Sequence, residues 1–156
     1  MSGEVYFSKD LVFKNLEFND NIEALKFLAT KLLEKGYVKK GYEKAILDRE
    51  KEYPTALPSV DVKIAIPHAD HKLVNKASLA VGVLKNPVKF RAMDDPDKSL
   101  NVSIIIMLAL SEPHGHIEML QRIVKLIQNP DLLKQIVKAS SDEEIINELT
   151  PYLMAN

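Results

Sequence analysis

The stretch Ser59-Val60-Asp61-Val62-Lys63-Ile64-Ala65-Ile66-Pro67-His68 decides how the rest of the chain is read. Val60, Val62, Ile64 and Ile66 alternate with Asp61, Lys63 and Ala65, the period-two pattern of a strand with one face in a core. Pro67 ends it, because proline has no N–H for the ladder and fixes its own φ. The pattern predicts a strand over 60–66 that carries His68 out at its end. A neutral imidazole, with an ordinary pKa near ~6.5, is a competent nucleophile, and a strand end is a rigid place to aim one. Taken alone, His68 is more simply an ordinary, partly buried strand-end histidine. Its neighbours shift the weight.

The 156 residues, 46% hydrophobic and 28% charged, suit one globular domain spanning 1–156. With 21 basic and 22 acidic residues the formal charge is −1, and no basic tract stands out, so nucleic acid is not an expected partner. The absence of cysteine removes disulfides, thiolate nucleophiles and cysteine-based metal centres. The start, MSGEVYFSKD, lacks a basic segment followed by an apolar run, and the greasiest stretch, 104–110, is too short to span a bilayer. A soluble, cytoplasmic protein is expected.

Residues 4–18 hold two short apolar clusters and predict one or two strands. A helix over about 20–35 follows from the Asp20 and Glu23 capping box, an apolar face of Ile22, Leu25, Leu28, Leu32 and Leu33, and Gly36 as C-cap. A second helix after Gly41 carries Tyr42, Ala45, Ile46 and Arg49 on one stripe and ends before Pro54. A guanidinium on that stripe needs a partner or a route to water. Either Arg49 pairs with Glu50 or Glu52, or it serves an anion site opening into the loop 54–58.

Beyond His68, a loop holds Asp70 and His71, and the run 77–84 reads as an interior strand. Asn86-Pro87 is expected to turn the chain before a short strand at Val88 and Phe90, and 93–97 reads as a polar turn. Residues 102–110 predict a central strand buried on both faces. Residues 111–116 lead into a helix with Ile117, Leu120, Val124 and Ile127 as its inner stripe, widened by Met119, Ile123 and Leu126, and with His116 in its first turn. Asn129 with Pro130 opens the next helix, and Ser141 with Glu144 caps a last one ending before Thr150-Pro151. Buried strands interleaved with helices predict an α/β fold: a single layered domain, a mixed β-sheet flanked by helices, and a helical C-terminal third.

The four histidines fall in two places, His68 with His71 and His114 with His116, each just after a strand. Reactive groups of layered α/β domains collect at one sheet edge, so the imidazoles converge if those two strand ends coincide. Two chemistries would use that convergence. Phosphoryl transfer through histidine needs fixed donors and positive potential, which Arg49, His116 and the N–H groups opening the helix can supply. No GxxxxGK[ST] loop is present, so a phosphoprotein rather than ATP would be the donor. A zinc hydrolase built on the HxxH and HxH spacings, with Asp70 as ligand or base, is the rival; neither pair is the helical HExxH. A binding module with structural histidines is the third possibility.

The segment Arg49-Glu50-Lys51-Glu52-Tyr53-Pro54-Thr55, then Ile64-Ala65-Ile66-Pro67-His68, then His116-Ile117 opening an amphipathic helix, resembles the type-2 (fructose/mannitol) enzyme IIA of the bacterial phosphoenolpyruvate-dependent sugar phosphotransferase system. REKEYPT and IAIPHAD are most similar to the galactitol-specific branch. The resemblance implies a phosphocarrier in which His68 accepts a phosphoryl group from phospho-HPr and passes it to a cysteine of a cognate enzyme IIB. Enzyme IIB would then phosphorylate a sugar entering through membrane enzyme IIC. It further implies that His116 orients the phosphoryl group, that Arg49 neutralises its charge, and that no cofactor is used. His71 and His114 carry no role in that family and are expected to be exposed loop residues. Ala56 stands where the family commonly has glycine, which puts the close approach of that loop in question. The docking surface should be an apolar patch around His68, with Ile66 and Leu57 as candidates though core packing suits both. A nitrogen-regulatory relative, which signals rather than feeds a transporter, is the alternative within the resemblance.

Overall fold

The computed structural model describes residues 5–154. Among them, β1 (Val12–Leu16), β2 (Lys63–Ala65), β3 (Ser78–Arg91) and β4 (Ser99–Ala109) form a sheet in the order β1-β3-β4-β2. β3 and β4 are an antiparallel hairpin, while β1 joins β3 and β2 joins β4 in parallel, so the sheet is mixed as expected. Helices α1 (Asn21–Glu34) and α2 (Tyr42–Glu52) pack on one face; α3 (Gly115–Ile127), α4 (Pro130–Val137) and α5 (Asp142–Leu153) cover the other. The apolar run 104–109 of β4 faces a helical layer on each side. Val102, Ile105, Met107 and Ala109 join the α1–α2 core, while Ile104, Ile106 and Leu108 join the α3–α5 core.

The helix boundaries follow the caps. Asp20 accepts a hydrogen bond from Glu23 N and Glu23 Oε1 accepts one from Asn19 N, while Gly36 adopts φ +76° just past the end of α1. Asn129 caps α4 by accepting from Leu132 N, and Ser141 caps α5 by accepting from Glu144 N.

Several expectations are corrected. The strand predicted over 60–66 contracts to Lys63–Ala65, because Asp61 takes a left-handed φ of +61° and leaves Val60 65% exposed. Asn86-Pro87 does not turn the chain; it sits in an irregularity of register between Val83 and Val88, where β3 dispenses with a ladder donor and continues. The inner face of α3 is Met119, Ile123 and Leu126, with Ile117 and Val124 exposed. Ile22 and Leu33 of α1 are likewise exposed. α5 runs through Pro151 to Leu153, whose buried side chain anchors the last turn in the core. Near the start, β1 follows a 3-10 turn over Lys9–Leu11, and Tyr6 bridges Ser78; residue 4, where the expected strands began, lies outside the described residues. Among the described residues no helix is long and apolar enough to cross a membrane.

Candidate functional site

Parallel pairing of β2 with β4 decides where the histidines go. Both strands end at the same sheet edge: the chain leaving β2 delivers Pro67-His68, and the chain leaving β4 turns into α3, with His116 in its first turn. The His68 and His116 rings lie 4.6 Å apart between centroids, tilted by 34°.

His68 is held from several sides. Leu108 N donates to Pro67 O at 2.9 Å, His68 itself bridges Leu108, and Ala69 beyond it is buried. Its Nδ1 lies 2.9 Å from the Ile66 carbonyl oxygen. A carbonyl can only accept, so Nδ1 carries the proton in the neutral ring and Nε2 keeps the lone pair. Burial holds the His68 pKa below the ordinary imidazole value, with Arg49's positive charge acting the same way against the opposing hydrogen bond to Ile66. The ring is therefore neutral and nucleophilic near pH ~7.

His116 is more strongly shifted. Burial first, then repulsion from the His68 ring once acid protonates it, from Arg49 and from His71, push its pKa down to about 4, with Asp70 pulling the other way. Its Nε2 is a buried ring nitrogen without a hydrogen-bond partner. A polar atom left open beside a candidate nucleophile fits a group that arrives from outside.

Arg49 corrects the reading of α2. The buried positions are Tyr42, Ile46 and Glu50, so the stripe passes through Glu50, and Arg49 is exposed with its guanidinium 5.2 Å from the Tyr53 ring centroid. It makes no ion pair with Glu50 or Glu52. Glu50 instead turns inward and accepts from Thr55 N and Thr55 Oγ1.

Arg49, Tyr53, His68, Met93, His116 and Ile117 line a concavity of about 270 Å³. Three of these are exposed apolar or aromatic residues: Tyr53, Met93 and Ile117. Ile66 and Leu57, considered for that surface, are buried core residues at 1% and 4% exposure. A larger hollow of about 470 Å³ lies elsewhere, lined by Leu25, Lys51, Phe90 and Arg91 among others, and no histidine reaches it. Arg49, His68 and His116 all line the smaller one.

The loop 54–57 is a buried auxiliary strip beside β2. Leu57 N donates to Ile64 O, Ile66 N donates to Thr55 O, and Ala56 bridges Ala65 on one side and Ala92 on the other. Ala56 is not among the residues with positive φ, and its neighbours are alanines, so its methyl group fits without opening the loop. His71 is half-buried rather than exposed, with Nδ1 3.3 Å from Asp70; His114 is exposed, as expected. Among the described residues no group of three or more His, Asp or Glu side chains is arranged to hold a metal, which leaves the zinc reading without a ligand set.

Residues 5–151 match the family model for the phosphoenolpyruvate-dependent sugar phosphotransferase system, EIIA 2. The chain is 30% identical over 128 residues to the galactitol-specific EIIA component of Escherichia coli K12, covering 81% of this chain and 83% of that protein. Its fold matches enzyme IIAMTL in the complex with phosphorylated enzyme IIBMTL from Escherichia coli, with a TM-score of 0.77, 22% identity, and coverage of 93% and 99%. It also matches nitrogen regulatory protein IIA-Ntr from Neisseria meningitidis, with a TM-score of 0.72, 22% identity, and coverage of 92% and 96%.

Proposed function

The chain belongs to the phosphoenolpyruvate-dependent sugar phosphotransferase system EIIA 2 family, a phosphotransferase component, and on that premise we propose that it is a phosphocarrier whose acceptor is His68. The observation that carries this reading is the His68 ring itself: Nδ1 tied to the Ile66 carbonyl, Nε2 left with its lone pair, the His116 ring 4.6 Å away.

The Nε2 lone pair of His68 attacks the phosphorus of phospho-HPr. A new N–P bond forms as the donor's N–P bond breaks, and the donor imidazole leaves with its electron pair. The phosphoryl group in flight spreads negative charge over its oxygens, so fixed positive groups lower the barrier. Arg49 supplies a permanent charge at the rim, and His116 Nε2 supplies the buried partner on the inner side. In the second step a thiolate of enzyme IIB attacks the same phosphorus, an S–P bond replaces the N–P bond, and His68 returns to its neutral form. Enzyme IIB then phosphorylates the sugar arriving through enzyme IIC. Similarity to the galactitol-specific component supports a galactitol-like sugar alcohol as the proposed cargo of that pathway, with the chain acting in the cytoplasm beside the transporter as part of the same proposal. The exposed Tyr53, Met93 and Ile117 would meet both partners in turn and exclude water from the transfer.

The test is incubation with phosphoenolpyruvate, enzyme I and HPr, followed by intact mass. An acid-labile phosphate on the wild type and none on His68→Ala is the expected result. Discharge by galactitol-specific enzyme IIB in preference to mannitol-specific enzyme IIB decides the branch.

A further inference from the structure

Glu50 takes no part in the chemistry above, yet it is a carboxylate only 6% exposed on the buried stripe of α2. Burial raises its pKa, and a carboxylate is tolerated in such a place only when its oxygens are satisfied. Both are. Oε2 accepts from Thr55 N at 2.8 Å and Oε1 from Thr55 Oγ1 at 2.7 Å.

We propose that Glu50 is a positioning residue for His68, acting through Thr55 and Ile66. The hydrogen-bonded chain is continuous. Thr55, clamped by Glu50, uses its carbonyl to accept from Ile66 N at 3.2 Å; the Ile66 carbonyl in turn accepts from His68 Nδ1 at 2.9 Å. That last bond puts the proton on Nδ1 and leaves Nε2 as the nucleophile. Glu50 thus holds the strip 54–57 at its start, the strip holds the segment leaving β2, and that segment selects the tautomer of the reactive ring. An apolar residue at position 50 would fill the same space but leave the Thr55 N–H without its acceptor. The loop would then shift to find one, and the Ile66 carbonyl with it.

The structural half of this inference stands on geometry alone; its consequence for turnover rests on the phosphocarrier reading. The test therefore has two readouts on the full chain: the tautomer of His68 by nitrogen-edited NMR of the imidazole, and the rate of phosphorylation by phosphoenolpyruvate, enzyme I and HPr. In the wild type, His68 is expected as the Nδ1–H tautomer. Glu50→Ala should give a mixture of tautomers and slow phosphorylation about tenfold or more. Glu50→Gln, whose amide oxygen still accepts from Thr55 N and whose NH2 can donate to Thr55 Oγ1, should recover most of both. A folded Glu50→Ala protein with the wild-type tautomer overturns the inference. If that variant does not fold, Thr55→Val removes one of the two bonds and must move the tautomer in the same direction; wild-type behaviour there overturns it equally. Failure of the wild type to take phosphate on His68 would remove the phosphocarrier reading, while the tautomer comparison would still decide the role of Glu50.

Discussion

The ring of His116 stands 4.6 Å from the ring of His68, yet the two are held on separate elements, one at the exit of β2 and one in the first turn of α3. Neither needs the other to stay in place. Replacing His116 by alanine should therefore leave the fold intact and slow phosphoryl transfer on the order of 10²-fold, the loss associated with one fixed donor at a developing charge. Steady-state transfer together with circular dichroism checks it. Normal turnover in His116→Ala would remove His116 from the site.

Phosphorylation should recharge His116. In the free protein, burial and nearby positive charge hold its pKa at about 4. A phosphoryl dianion on His68 reverses the local field and favours the imidazolium. An NMR titration should show His116 protonating at a higher pH in the phosphorylated chain than in the free one. An unchanged midpoint would mean that the phosphoryl group lies out of its reach.

The same depressed pKa predicts an acid-side loss of stability. Above about pH 6.5 the imidazole is neutral in both the folded and the unfolded chain, and nothing is gained or lost. Below that, the unfolded chain takes up a proton that the fold refuses until about pH 4, so stability falls as pH falls; His68, shifted the same way, adds to it. Urea midpoints measured between about pH 7 and about pH 5 should decline in the wild type and decline less in His116→Asn. Equal slopes would contradict the assignment.

Arg49 is exposed, and its stacking on Tyr53 is of the kind worth about 0.5–1 kcal/mol. Arg49→Ala should cost no more than that in denaturant unfolding while cutting the phosphorylation rate about tenfold or more. Arg49→Lys, which keeps a point charge, should recover part of the rate. A protein that unfolds instead would make the residue structural.

Ile117 is 60% exposed on the rim of the concavity that holds both histidines. An apolar side chain exposed there lies outside the core, and on the proposed reading it serves docking. Ile117→Glu should raise the KM for phospho-HPr and for enzyme IIB, leave thermal stability unchanged, and leave the single-turnover rate at saturation close to wild type. A stability loss without a change in KM would place the side chain in the fold after all.

What the chain reveals about itself depends on how local the signal is. His68 behind Pro67, and His116 behind the turn that opens α3, are readable because a breaker and a helix start act on adjacent residues. That their two edges coincide is not readable. It follows from β2 pairing in parallel with β4, a contact between distant segments. Phase errors have a different origin. α3 carries apolar residues at Ile117, Met119, Leu120, Ile123, Val124, Leu126 and Ile127, a continuous arc of about half the helix, so several stripes fit within it and only packing against β4 and α5 selects Met119, Ile123 and Leu126. In α2, Arg49 and Glu50 are adjacent charges on a short polar helix, and a stripe drawn through Tyr42 and Ile46 passes close to both. The buried one is Glu50, the side chain with a local partner in Thr55. Met93 gave no warning, because a methionine in a polar turn looks like turn filler until Ala56 draws Met93 N to its carbonyl beside the site.

The bond between His68 Nδ1 and the Ile66 carbonyl leaves Nε2 as the one ring nitrogen with a free lone pair, the proposed acceptor of phosphorus. Charging the chain with phosphoenolpyruvate, enzyme I and HPr and assigning the phosphorus–nitrogen linkage by heteronuclear NMR reads that choice out. Phosphate on Nε2 of His68, absent from His68→Ala, is the predicted result; phosphate on Nδ1, on another residue, or nowhere would contradict it.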